Sequence, residues 1–205
     1  MKVELFPFQK RAVSDLRMYA AIALNTYRSF KIPQVISLQA PTGSGKTIIM
    51  AAMVEDIYFG TERFAEQPEA IFVWLSDSPA LNEQTRQKFD LKADKIRFEQ
   101  CVTIEDESFD MEMLEDGYIY FLNTQKLSKA ANLVHHSDTR QYTIWETLSN
   151  TVKEKSDRLY FIIDEAHRGM QGKEAGKATS IMQRFLKGYE CVENGIKQTM
   201  PPMPV

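Results

Sequence analysis

The residues with the clearest chemistry form one stretch near the amino end, Ala40-Pro41-Thr42-Gly43-Ser44-Gly45-Lys46-Thr47. Gly43 and Gly45 allow backbone dihedrals that a Cβ would penalise, and they let the main chain approach a polyphosphate closely. Successive N–H groups at the positive end of a helix then form an anion-binding nest. In such a loop Lys46 reaches the β- and γ-phosphates, and the Thr47 hydroxyl holds Mg²⁺. The pattern predicts a loop that binds a polyphosphate with Mg²⁺, although Ala40 stands where the general motif begins with Gly.

Two adjacent acids follow a later apolar run, Leu159–Ile163, and are the natural partners of such a loop. Asp164 would hold Mg²⁺ directly or through water. Glu165 would orient and deprotonate a water that attacks the γ-phosphate. His167 is predicted to belong to the nucleotide-binding residues. Its position along the turn makes a metal ligand less plausible than a residue that connects the nucleotide site to a neighbouring domain. Taken alone, a strand ending in a polar turn is a common structural feature, so the prediction depends on the pairing with the loop.

The elements around these residues predict an α/β fold. A β-prone run, Val35–Leu38, precedes the loop, and a helix-forming run, Ile48–Val54, follows it, which is the strand-turn-helix context that a phosphate loop requires. Continuous apolar runs at residues 70–75, 118–122 and 159–163 are typical of strands covered on both faces. Because helical patterns alternate with these runs, a mostly parallel, doubly wound sheet flanked by helices is expected.

Composition restricts the partners and the compartment. The 205 residues are 43% hydrophobic and 26% charged, with a net charge of −3, and contain no apolar run long enough to cross a membrane. A chain with this charge has no global basic field, so any nucleic acid must be held by local contacts. The amino end lacks a signal-peptide core, and Cys101 and Cys191 have no metal-type spacing, which predicts a cytoplasmic protein with reduced thiols.

With these motifs the chain resembles the first RecA-like domain of superfamily-two helicases and translocases, in the DEAD/DEAH-box branch that includes the motor subunits of type III restriction enzymes. Asp164-Glu165-Ala166-His167-Arg168 matches the acid motif of that branch. Leu5-Phe6-Pro7-Phe8-Gln9 is similar to its adenine motif, which makes Gln9 a candidate adenine ligand. Phe6 stands where many relatives have Arg, and without the resemblance Gln9 would read as a solvated residue at a helix start.

The resemblance also implies nucleic-acid contacts, with DNA favoured over RNA. Trp74–Gln84 and Phe121–Leu127 match the two strand-contacting motifs, in which Ser76 and Thr124 touch the phosphates of one strand. Lys126 could add one charge contact. Other basic residues, Lys129 and Arg140 among them, are expected on the surface. The acidic stretch Glu105–Asp116 is expected to be an irregular, solvated loop anchored by Phe109 and Leu114.

In relatives, a strand ending in Ser-Ala-Thr follows the acid-bearing strand and lies between it and the strand before the loop. The sequence contains no such motif, so residues 1–205 are expected to be an N-terminal fragment, a truncated sequence, or one piece of a split protein whose partner supplies the strand. The fold is then incomplete at the C-terminus of the chain. A second RecA-like domain normally supplies arginine fingers. The chain alone is therefore expected to bind ATP–Mg²⁺ weakly and to hydrolyse it negligibly.

Two other functions are compatible with the phosphate loop. One is a non-catalytic, nucleotide-gated module that regulates a larger complex. The other is a small-molecule kinase, which shares the loop but gives no reason for the Asp164 motif or the strand-contacting motifs.

Overall fold

The computed structural model describes residues 1–106, 108–128, 131–164, 183–193 and 196–205. The α-helices are α1 (Pro7–Phe30), α2 (Lys46–Phe59), α3 (Pro79–Lys92) and α4 (Ile144–Lys155). The strands are β1 (Ile71–Ser76), β2 (Cys101–Thr103), β3 (Ile119–Asn123), β4 (Leu159–Ile163), β5 (Tyr189–Glu193) and β6 (Ile196–Met200). Short 3-10 helices span Phe98–Gln100, Thr124–Leu127 and Asn132–Val134.

Four of these strands form one parallel sheet in the order β2-β3-β1-β4. All their carboxyl ends lie at the same edge, where Ser76 of β1 pairs in register with Asn123 of β3. The N–H of Asp164 donates to the carbonyl of Leu75 at 2.9 Å, which places this acid beside the end of β1. The expected parallel α/β sheet is confirmed.

Both faces of the sheet are covered, which explains why its strands are continuous apolar runs. Phe72 and Trp74 of β1 belong to a core built with α1, α2 and α3. Val73 and Leu75 point to the opposite face and belong to a second core with α4 and Phe185. All six residues of β1 are buried.

The direction of α2 follows from contacts near its end. The ring of Tyr58 lies 5.2 Å from that of Phe72 at the start of β1. The Glu55 carboxylate accepts from the N–H of Asp94, which follows α3, at 2.6 Å. The end of α2 therefore lies at the amino edge of the sheet. Since 14 residues of helix extend about 21 Å, the first residue of α2, Lys46, lies toward the carboxyl edge.

The predicted strand before the phosphate loop is wrong, because residues 31–40 contain no strand. A strand requires a hydrogen-bonded neighbour along its length. Here the Gln34 N–H donates to the Pro204 carbonyl at 3.0 Å, and the Phe161 N–H of β4 donates to the Val205 carbonyl at 2.7 Å. Pro204 and Val205 thus lie between β4 and this segment, and no ladder continues along it in the part of the chain that the structure describes.

The antiparallel pair β5 and β6 was not predicted. Its sequence signal is Asn194-Gly195 between two runs of five residues, a dipeptide typical of two-residue hairpins. The Ser149 hydroxyl of α4 donates to the Thr199 carbonyl at 2.7 Å, which holds β6 against this helix. The apolar residues Ile181, Met182, Phe185 and Leu186 recur at helical spacing and predict a helix before this pair. Residues 183–187 are helical, and residues 181 and 182 lie outside the described residues.

Candidate functional site

The phosphate loop, residues 40–47, has a backbone that only glycine adopts without strain at two positions. Gly43 and Gly45 both have φ near +84°. The Ser44 N–H donates to the Pro41 carbonyl at 3.2 Å, and the chain then enters α2 with Gly45 as its N-cap. The first N–H groups of any helix have no partner within it, so the start of α2 presents donors to an anion.

Gln9 ties α1 to this loop. Its Nε2 donates to the Ser44 carbonyl at 2.9 Å, and its Oε1 accepts from the Phe6 N–H at 3.0 Å. The side chain is buried, and a Cβ added at Gly45 would lie 2.6 Å from Nε2. Position 45 therefore requires glycine for two reasons: its φ is positive, and the Gln9 side chain leaves no room for a Cβ.

Polar groups of the loop retain unused hydrogen-bonding capacity. The Ser44 hydroxyl is buried and has no hydrogen-bond partner within the described residues. Lys46 Nζ donates to the Ala40 carbonyl at 3.2 Å, which leaves two N–H donors of the ammonium for another acceptor. Thr42 is exposed and Thr47 is half-buried. A buried hydroxyl without a partner beside a loop of N–H donors fits a polyanion such as a triphosphate.

The acid side of the site is described only in part. Asp164 is half-buried, and Glu165 and His167 lie outside the described residues. Both Asp164 and the start of α2 lie toward the carboxyl edge of the sheet, as the predicted Mg²⁺ pair of Thr47 and Asp164 requires. No group of three or more His, Cys, Asp or Glu side chains that could hold a metal ion occurs among the residues described.

An aromatic pair flanks Gln9. The rings of Phe6 and Phe8 are nearly parallel, with an interplanar angle of 6° and centroids 6.1 Å apart. Both side chains are exposed, at 65% and 54%. Flat apolar surfaces of this kind stack on planar rings. The sequence identified Phe6 as a departure from relatives, whereas Phe8 was missed and its alternation with Phe6 was the available signal.

At the ends of β1 and β3, the predicted nucleic-acid ligands belong to a group called here the strand-end cluster: Ser76, Asn82, Thr124 and Lys126. Ser76 and Thr124 are buried. The Ser76 hydroxyl lies 2.7 Å from Asn82 Oδ1 and 2.9 Å from the Ser78 carbonyl. Asn82 was not predicted as a site residue, although its place in the first turn of α3 follows from the motif. The nucleic-acid roles of these residues stay predictions.

Lys126 is held within the chain by acceptors on the segment after β2. Its Nζ donates to the Ile104 carbonyl at 2.8 Å and forms an ion pair with the Glu105 carboxylate. Asp106 Oδ1 lies 3.8 Å from the same nitrogen. The side chain of Lys126 is only 15% exposed, because these groups surround it.

One further expectation for this region is wrong. Arg140 is buried rather than exposed, and it donates to the carbonyl oxygens of Asn132, at 2.7 Å, and of Asp106. A buried guanidinium needs such partners. Lys129 lies outside the described residues.

The stretch Glu105–Asp116 is irregular in its described residues, and its two predicted anchors, Phe109 and Leu114, are buried. Its acids also have partners, since Asp110 accepts from the N–H of Tyr142 at 2.8 Å and Asp116 pairs with Lys155 at 3.1 Å.

The comparisons with known proteins identify the family. A family model described as the type III restriction enzyme res subunit matches residues 2–197. No curated protein matches the chain, and no solved structure matches it. None of the helices in the described ranges is long and apolar enough to cross a membrane. With a match over nearly its whole length and a parallel α/β sheet, the chain belongs to the type III restriction enzyme res subunit family, as a helicase-like domain of superfamily two.

Proposed function

We propose that this domain binds ATP–Mg²⁺ at the phosphate loop and uses its hydrolysis to move along nucleic acid, DNA in preference to RNA, in restriction or phage defence. The observation that carries the proposal is the hydrogen bond from Gln9 Nε2 to the Ser44 carbonyl. It joins the candidate adenine ligand directly to the candidate phosphate ligands. One nucleotide could therefore contact both ends of the site.

The orientation of Gln9 favours adenine. Both ends of its amide are engaged, Oε1 by the Phe6 N–H and Nε2 by the Ser44 carbonyl, so the amide cannot be reversed without losing both bonds. One N–H and one lone pair remain. They match the ring-nitrogen acceptor and amino donor of adenine, whereas guanine presents two acceptors along that edge. Phe6 and Phe8 offer a stacking surface for the base, although a stacking surface alone does not select among bases.

The chain's own residues then have separate roles. Lys46 and the N–H groups of the loop bind the β- and γ-phosphates, and Ser44 and Thr42 add hydroxyls at the loop. Mg²⁺, held by Thr47 and Asp164, would neutralise charge on the phosphates when bound. Glu165 accepts a proton from the attacking water. His167 connects the site to a neighbouring domain.

Movement along a strand requires a second RecA-like domain, which we propose as the partner that closes over the nucleotide. Such a domain supplies an arginine finger, and losing a finger costs about 10³- to 10⁵-fold in turnover. Hydrolysis by residues 1–205 alone is therefore expected to be negligible. Brisk nucleic-acid-stimulated turnover by this chain alone would contradict that expectation.

Equilibrium binding of a fluorescent ATP analogue tests the nucleotide site. Lys46→Ala should weaken binding by at least about tenfold, because it removes a charge-assisted bond to phosphate. Lys10→Ala, which removes the same charge at an exposed pair with Glu4, is the matched control and should bind like the wild type. ATP should compete about tenfold better than GTP. Equal binding by wild type and Lys46→Ala would overturn the proposal.

The non-catalytic alternative differs in what Glu165 does. In a motor, Glu165→Gln should retain bound ATP and abolish turnover in the presence of the second domain, because the general base is lost. In a module that only binds nucleotide, the same substitution should leave partner regulation unchanged. Measuring single-turnover ATP hydrolysis together with the retention of bound nucleotide distinguishes the motor from the binding module.

A further inference from the structure

We propose that Glu105 occupies the place of a nucleic-acid phosphate at Lys126, so that a strand binding the strand-end cluster must displace this carboxylate. The inference rests on the proposed function, because it concerns the regulation of the same nucleic-acid contacts. Lys126, the basic side chain predicted to touch a phosphate of the nucleic acid, already has an internal anion, the Glu105 carboxylate, as its partner.

The carbonyl of Ile104 fixes where the lysine lies. Lys126 Nζ donates to this carbonyl at 2.8 Å, and the backbone N–H of Lys126 donates to Asn123 Oδ1 at 3.2 Å. Neither contact involves a carboxylate that a phosphate would replace. Lys126 therefore stays at the carboxyl end of β3 when the Glu105 side chain leaves, and its ammonium is free for another oxyanion.

Glu105 is the acid that can leave. Its side chain is 58% exposed, so its carboxylate regains full hydration when it turns away from Lys126. Asp106 is less free, because its carbonyl accepts from the buried Arg140 and its Oδ1 is buried. The exposed ion pair between Lys126 and Glu105 is weak and screened by salt, which suits a contact that a strand of phosphates displaces.

The exchange has a measurable signature in the salt dependence of binding. In the wild type, salt weakens the internal ion pair that binding must break as well as the phosphate contact that replaces it, so the two effects partly cancel. Removing the Glu105 charge should therefore tighten binding and steepen the dependence of log K on log salt. For a single strand the slope should steepen by less than about 0.7, the value for one whole phosphate contact.

Fluorescence anisotropy of the full chain with a labelled oligothymidylate, over a series of salt concentrations, tests this. Glu105→Gln should bind about two- to fivefold tighter at low salt, the range expected for one exposed ion pair. Glu112→Gln is the matched control, since it removes the same charge from an exposed position in the same acidic stretch. Lys126→Ala with and without Glu105→Gln completes a double-mutant cycle.

In the Lys126→Ala background, Glu105→Gln should raise the affinity for oligothymidylate no more than Glu112→Gln does. The inference is overturned if Glu105→Gln and Glu112→Gln behave alike, or if the gain persists without Lys126. A loss of the oligothymidylate signal in every variant and in the wild type, with ATP binding retained, would overturn the nucleic-acid part of the proposed function and this inference with it.

Discussion

The phosphate loop and the strand-end cluster lie along the same edge of the sheet but differ in how their polar groups are satisfied. In the loop, Ser44 Oγ has no partner among the described residues, and the ammonium of Lys46 has a single carbonyl acceptor. In the strand-end cluster, Ser76 is bonded to Asn82, and Lys126 is bonded to Glu105. The phosphate loop keeps hydrogen-bonding capacity in reserve, whereas the polar groups of the strand-end cluster are satisfied within the chain.

This difference suggests different energetics of ligand binding. A loop whose glycines already have positive φ and whose donors are partly unused needs little reorganisation when an anion binds. A cluster with internal partners must break bonds before it makes new ones, so its affinity depends on the exchange.

Gly45→Ala should remove most nucleotide binding. A side chain at φ +84° costs about 1–2 kcal/mol, and the added Cβ would also lie 2.6 Å from Gln9 Nε2. ATP affinity should fall by at least about tenfold, and the free energy of unfolding should fall by at least the dihedral cost. Gly43→Ala is the matched control, because it has the same φ but no atom within 4 Å of its added Cβ. Equal losses in the two variants, by chemical denaturation and analogue binding, would show that the Gln9 contact is unimportant.

Gln9→Glu should loosen the loop. It replaces the Nε2 donor with a carboxylate oxygen facing the Ser44 carbonyl, and leaving a buried acceptor unpaired costs about 1–3 kcal/mol. ATP binding should weaken and its advantage over GTP should shrink. Gln84→Glu, which adds the same charge at an exposed position on α3, should change neither quantity. A Gln9→Glu variant with unaltered stability and base preference would contradict the assigned role.

Ser76→Ala should affect stability before it affects nucleic-acid binding. It leaves Asn82 Oδ1 buried without its hydroxyl partner, which costs about 1–3 kcal/mol of unfolding free energy. Urea denaturation measures this loss. Ser14→Ala on the exposed side of α1 is the control and should be neutral or slightly stabilising, because Ala is the better helix former. If Ser76→Ala is neutral in stability, the strand-end cluster is not satisfied internally.

The smallest effect is expected for Cys101, whose thiol should not react with a disulfide reagent in the folded protein. Burial in β2 raises the pKa of its thiol to about 12, so the thiolate is scarce near neutral pH. In a Cys191→Ser background, a disulfide reagent at pH 8 should label the native protein only as fast as it unfolds, and label it at once in urea. Rapid native labelling would mean that the β2 side of the sheet opens, which would weaken the contrast with the exposed loop.

Much of the site could be predicted from the sequence because its motifs encode local chemistry. Gly43 and Gly45 predicted a loop that needs positive φ, and both adopt it. The apolar runs predicted buried strands, and β1, β3 and β4 lie where those runs lie. The family follows from the same residues, since the match covers residues 2–197.

The sequence also determined the identity of the candidate ligands, because Lys46, Thr47 and Asp164 are specified by type and spacing. Whether residues 35–38 form a strand was decided by the tertiary structure, since a strand depends on neighbours that its own sequence does not contain. The same reason explains Arg140 and Lys126. Their charges are visible in the sequence, but only the folded chain brings the carbonyls and carboxylates that surround them.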